Sequence, residues 1–170
     1  MKGKVRVVFG TNDSLRARLI RWSTGSPWSH VWIEYQSEVW GGWWAAHSAE
    51  DGVVKVPDTR IWTRYPRRLT YELHVPLDGG FDWARYVIGA KYDYGVIWNA
   101  LLLVLFRATK WQWLEKLAAR NAARYSCSEF VAGFLKAAGV KGSEQWDIEL
   151  MHPGAVHSFL KKQGWAWGVP

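Results

Sequence analysis

Strand-like segments fill the first 75 residues of this chain and helical periodicity takes over after them, a split that calls for a sheet built from chain neighbours with helices laid against it. Residues 4–9, 29–35, 39–46, 52–56 and 69–75 are short, rich in β-branched and aromatic side chains, and separated by Gly, Asp and Pro signals. One helix interrupts them at residues 14–22, where Leu15, Leu19 and Trp22 share a face and Asn12, Asp13 or Ser14 can cap the start. Residues 81–88 read as a short helix ended near Gly89, and residues 96–106 and 111–123 as two more, joined around Arg107–Lys110. A last helix covers residues 128–138, with Gly139 placed to close it. The expected class is α+β: an antiparallel sheet with helices packed against it. No repeat, low-complexity tract or linker divides residues 1–170, so a single domain is expected.

Size permits this. A chain of 170 residues, 49% hydrophobic and 22% charged, can bury a core without metals or disulfides. The only cysteine, Cys127, excludes an intramolecular disulfide. The basic N-terminus lacks a continuous apolar stretch and reads as a strand, not a signal peptide. Synthesis in the cytoplasm or carriage on a virion, with action at the cell envelope, is the matching expectation. The longest apolar run, from Gly95 to Phe106, is 12 residues and contains Asn99. That falls short of the roughly 20 a membrane-spanning helix needs, so a buried or membrane-surface helix is expected and no transmembrane span. The net charge of +7 favours anionic partners: nucleic acid, acidic lipid or an anionic cell-wall polymer. No motif interleaving basic and stacking aromatic residues supports specific nucleic-acid binding. Among the 14 tryptophans, Trp40, Trp43 and Trp44 flank Gly41-Gly42 so densely that a substrate groove is expected there, with Trp32 contributing from the neighbouring strand.

The segment Tyr125-Ser-Cys-Ser-Glu-Phe130 carries the chemistry. Ser126 and Glu129 have capping-box spacing, which sets Cys127 at the first helical position. There the helix dipole and free backbone N–H groups favour a thiolate, and the same N–H groups suit an oxyanion. A lone cysteine is equally a small buried apolar residue. A nucleophile needs a base, and His30 follows a Gly/Pro loop at the start of a strand. Alternation puts His30, Trp32 and Glu34 on one face of that strand and Val31, Ile33 and Tyr35 on the other. His47 is placed to orient the imidazole from one strand over, with Glu34 and Glu50 as competing carboxylates. His152 and His157 are not spaced as metal ligands, and one cysteine builds no zinc cluster, so neither metal nor cofactor is expected.

These motifs and their order resemble the circularly permuted branch of the NlpC-type papain-like superfamily, which includes bacterial lipoprotein-like amidases and the lecithin:retinol acyltransferase group. The matching segments are Ser29-His30-Val31-Trp32-Ile33, Gly89-Ala-Lys-Tyr92-Asp93, Tyr125 to Val131, and Met151-His-Pro153. Ser126 stands where unpermuted relatives carry Asp, which suits the permuted branch. The resemblance implies a papain-like fold with Cys127 as nucleophile, His30 as general base and then acid, His47 as the orienting residue and Tyr125 as an oxyanion donor. It implies hydrolysis of an amide through an acyl-enzyme. A peptide bond of peptidoglycan is the leading substrate, in a phage tail or lysis-associated enzyme that meets other tail proteins. A lipid acyl hydrolase or acyltransferase is the second expectation, and a catalytically silent tail module of the same fold the third.

Overall fold

The computed structural model describes residues 4–94, 124–165 and 167–168 of the protein. Five strands, β1 (Val5–Thr11), β2 (His30–Gln36), β3 (Trp43–Ala49), β4 (Gly52–Pro57) and β5 (Arg67–Leu73), form an antiparallel sheet in the order β4-β3-β2-β1-β5. Helices α1 (Leu15–Thr24), α2 (Asp58–Trp62) and α3 (Asp78–Val87) interrupt or follow them. A parallel two-residue pair, β6 (Lys91–Tyr92) with β7 (Arg124–Tyr125), leads into α4 (Cys127–Ala137). After α5 (Pro153–Lys162), the short β8 (Trp167–Gly168) adds to the outer edge of β5. The α+β class expected from the sequence is therefore the observed one. The helices anticipated at residues 96–106 and 111–123 lie outside the described residues. No helix among the described residues is long and apolar enough to cross a membrane.

Period-two burial builds two unlike layers. Val5, Val7 and Phe9 of β1 and Val31, Ile33 and Tyr35 of β2 point to one side, where α3, α4 and α5 supply Phe81, Phe130, Val131, Phe134, Val156 and Leu160. On the other side Val8, Trp32 and Ala45 meet Ile61 of α2, with Val56, Trp62 and Tyr65 around them. The helix α4 is buried along almost its whole length, as its run of apolar residues requires. Gly139, at φ 69°, closes it in a left-handed conformation that costs glycine nothing.

Several elements depart from expectation. In α1, Leu15 and Trp22 are 82% and 65% exposed, and the helix docks through Ala17 and Ser23 instead. Leu15 and Trp22 of the apolar stripe face out, and Leu19 between them is half-buried. The third strand begins at Trp43 because Gly41 and Gly42, both at positive φ, form the turn before it. The helix α5 escaped the sequence reading; its signals are Pro153 in the first turn and His152, whose side chain accepts from the Ala155 N–H.

One glycine fixes how the second half meets the first. Gly52 has φ 88°, and a Cβ there would fall 2.3 Å from the Ala90 carbonyl oxygen. This close approach lets Val53 N–H donate to Ala90 O at 2.8 Å and Gly89 N–H to Val53 O at 2.9 Å. The segment leading to Tyr92 is thus sewn to β4.

Candidate active site

The helix α4 starts as the sequence requires. Ser126 is the N-cap, its hydroxyl accepting from Glu129 N–H at 3.2 Å while the Glu129 carboxylate accepts from Ser126 N–H at 2.5 Å. Burial pushes the Glu129 carboxyl up to about 7, against the hydrogen bonds from Ser126 that hold it down. Ser48 of β3 donates its hydroxyl to the Tyr125 carbonyl oxygen, tying the strand that carries His47 to the residues just ahead of Cys127.

The Cys127 thiol lies where the sheet opens. The β2–β3 ladder runs only from Ile33↔Ala46 to Gln36↔Trp43, so Val31 lies beyond its end. The Val31 N–H turns to the Cys127 sulfur, joined by the N–H groups of Ser128 and of Cys127 itself. All three favour a thiolate, yet burial outweighs them and the thiol is pushed up to about 11. The donors expected from the helix start are thus present, and burial opposes them.

His30 and His47 meet with 3.3 Å between His30 Nε2 and His47 Nδ1, and either ring can be the donor. The His30 ring stacks on Tyr65 at 4.8 Å between centroids, with only 12° between the planes. Burial holds His30 well below the usual imidazole value, with His47 and the Arg64 guanidinium adding to the effect. Burial and Arg64 lower His47 to about 4, against the opposing pull of Asp51. Both rings are neutral at pH 7. Tyr65 links the two halves of the site, since it stacks on His30 and its hydroxyl is raised to about 12 by burial and by Cys127. Burial, then Cys127 and Tyr65, likewise raise Tyr92 far above the ordinary phenol value. Among the described residues no hydrogen bond joins the Cys127 sulfur to His30.

Several expected partners go elsewhere. Glu34 lies on the His30 side of β2 but accepts from Arg6 Nε at 2.6 Å, Trp32 Nε1 at 2.6 Å and Trp62 Nε1 at 2.7 Å, so its carboxylate is engaged by these donors and not by an imidazole. Glu50 pairs with Arg16 on the surface. Tyr125 packs its ring edge-on against Trp83 of α3 at 5.6 Å, and burial, with Tyr86 and Glu129 nearby, raises its phenol above the ordinary value. The tryptophan groove does not form. Trp32 is 0% exposed, Trp43 lies under the Arg6 guanidinium at 3.8 Å, and Trp44 packs against the helical layer from the opposite face of β3. Alternation along one strand sends successive residues to opposite faces, so Trp43 and Trp44 cannot line one groove. Sequence reasoning missed Tyr65, which no local motif marks. Tyr92 stood in a quoted motif without a role.

The open space beside His47 is a cleft of about 250 Å³ lined by His47, Asp51, Lys55, Arg60, Ile61 and Arg64, among others. No group of three or more metal-ligating side chains gathers among the described residues. No protein-family model matches the chain, and no curated protein is significantly similar to it.

Proposed function

We propose that the protein is a cysteine hydrolase that cleaves an amide through an acyl-enzyme, of the permuted NlpC-type papain-like kind its motifs resemble. The observation that carries this reading is the Cys127 sulfur at a helix N-terminus within reach of three backbone N–H groups. Such a pocket suits a nucleophile that becomes negative for a moment and then passes charge to a carbonyl oxygen. The resting pair is neutral: a thiol held up by burial and an imidazole held down by it. His47 engages His30 Nε2, which leaves Nδ1 as the atom to take the thiol proton.

The steps follow. Cys127 attacks the carbonyl carbon as its proton passes to His30, the carbonyl π pair moves onto oxygen, and the backbone N–H groups hold that oxyanion. Tyr92, Tyr65 and Tyr125, all kept protonated, are the tyrosines suited to add a donor. His30 then gives the proton to the leaving nitrogen as the C–N bond breaks. Water, deprotonated by His30, attacks the thioester and releases the acid with Cys127 again a thiol. A cell-wall peptide is the leading substrate class.

Incubating the protein with purified peptidoglycan and reading new amino termini by mass spectrometry tests the reading. Wild type should release them, Cys127→Ser none, and His30→Gln at least about 100-fold fewer. Iodoacetamide labelling of Cys127 should rise with pH to about 11 instead of levelling near the pH of a free thiol. A His30→Gln variant that cleaves as fast as wild type would sink the dyad. The second reading, a lipid acyl hydrolase, draws on the exposed Leu15 and Trp22 beside Arg18 on α1. Failure to bind anionic liposomes would remove it.

A further inference from the structure

An imidazole turns about a broad, two-fold torsion, so a histidine that must keep one nitrogen on a partner and the other free needs a barrier to flipping. At His30 the partner is His47, which meets Nε2 at 3.3 Å with the two rings perpendicular. A contact at one edge does not fix the plane of the ring. The face of His30 is covered by Tyr65, whose ring lies 4.8 Å away and only 12° from parallel. Trp32 leans on both rings, at 5.6 Å from each. To exchange Nδ1 for Nε2, the imidazole would have to swing through the Tyr65 ring.

Tyr65 is itself held more firmly than a space-filling residue between α2 and β5 needs. Pro66 follows it and favours extended backbone at position 65. Arg68 Nη1 donates to the carbonyl oxygens of Trp62 and Tyr65 at 3.1 and 3.2 Å, and Asn12 Nδ2 to that of Arg64 at 3.0 Å. The Arg68 guanidinium rests on the Trp62 ring at 4.5 Å, and the Trp62 and Trp32 indoles both donate to Glu34. The two rings that flank His30 are therefore tied, directly or through Arg68 and Trp62, to one buried carboxylate. Across the ladder Gly10 stands opposite His30, where a Cβ would lie 2.9 Å from the Tyr65 Cβ. An aromatic face also attracts a positive ring, which the neutral imidazole becomes on taking a proton.

We propose that Tyr65 is the positioning residue of His30: its ring blocks the imidazole flip, so that Nε2–H stays on His47 and Nδ1 stays free for the Cys127 proton. The proposal rests on the cysteine-hydrolase reading above and gives the ring of Tyr65 a role separate from that of its hydroxyl. Its first test needs no turnover. Isotope-labelled imidazole nitrogens, read by long-range proton–nitrogen NMR correlation at neutral pH, report the tautomer. Wild type and Tyr65→Phe should both show His30 as the single Nε2–H tautomer. Tyr65→Leu fills the space without a flat face and should show the averaged nitrogen shifts of a ring in exchange. Cleavage of soluble peptidoglycan fragments should follow the same order. In Tyr65→Leu kcat should fall about tenfold with KM little changed, and Tyr65→Phe should recover most of the loss. Gly10→Ala crowds the stack from β1 and should repeat the Tyr65→Leu result, so the test survives a Tyr65→Leu variant that circular dichroism shows to be unfolded. A single tautomer in both Tyr65→Leu and Gly10→Ala overturns the proposal. So does a Tyr65→Phe variant as impaired as Tyr65→Leu, or an averaged ring with an undiminished kcat. A protein whose His30 tautomer depends on the Tyr65 ring, yet whose wild type releases no new amino termini, loses the hydrolytic reading and keeps the positioning role.

Discussion

The two faces of β2 are one strand's worth of sequence apart and obey different physics. Toward the helices, Val31, Ile33 and Tyr35 enter a layer of apolar contacts with α3, α4 and α5. Toward α2, Trp32 and Glu34 enter a layer where the Glu34 carboxylate is fully buried and held by one guanidinium and two indole N–H groups. The first layer is non-directional and resists by volume. The second is directional and resists by leaving no polar atom of Glu34 unmet. His30 belongs to the second face and Cys127 to the first, so the candidate site straddles the boundary at the end of the β2–β3 ladder.

Substitutions can separate the two layers. The largest effect should come from Phe130→Ala, which removes a 0% exposed ring from the helical layer and should cost about 4 kcal/mol. The urea midpoint, at unchanged m, measures it. Glu34→Ala should cost about 3 kcal/mol by stranding Arg6 and two indoles. Here the layers should diverge. Adding Arg6→Met to Glu34→Leu should recover part of that loss, because the ionic pair is replaced whole by apolar groups while only the Trp32 and Trp62 N–H groups stay unpaired. No recovery in the double variant would mean that the second face resists by volume as well.

The smallest effect is in pH. His47 is about 4 in the folded protein and near 6.5 unfolded, so the unfolded chain takes the proton first as pH falls below 6.5. That should remove about 2 kcal/mol at pH 5, all of it restored above pH 7. Glu129 acts oppositely. Its carboxyl, raised from 4.5 to about 7, contributes stability at low pH that is lost as pH rises from 4.5 through 7. Thermal melts of His47→Gln should therefore be flatter than wild type on the acid side, and melts of Glu129→Gln flatter toward neutrality. A His47→Gln variant as acid-sensitive as wild type would move the effect to another group.

Local signals carried much of this to the reader of the sequence. Ser126 and Glu129 announced the start of α4 because a capping box is a contact between near neighbours. Alternation along residues 30–35 gave the two faces of β2 correctly, since a sheet has only two sides. What stayed hidden was set at long range. Nothing near Glu34 says that Arg6 and Trp62, 28 positions away on either side, would claim it. Nothing near Tyr65 marks it as the ring that stacks on His30. The thiol also illustrates a competition of magnitudes, in which the donors around it were legible and the burial that outweighs them was not.

Gly10 faces His30 across the β1–β2 ladder, and a Cβ there would lie 2.6 Å from the Trp32 ring and 2.9 Å from the Tyr65 Cβ. Position 10 thus sets the headroom of the chamber in which the histidine ring is stacked. Any side chain at all would lift Tyr65 off His30 or push Trp32 aside, although glycine itself reacts with nothing. In a mutational scan of the proposed hydrolysis, this residue would group with Cys127 and His30, and a thiol-labelling scan would be needed to set it apart as architecture.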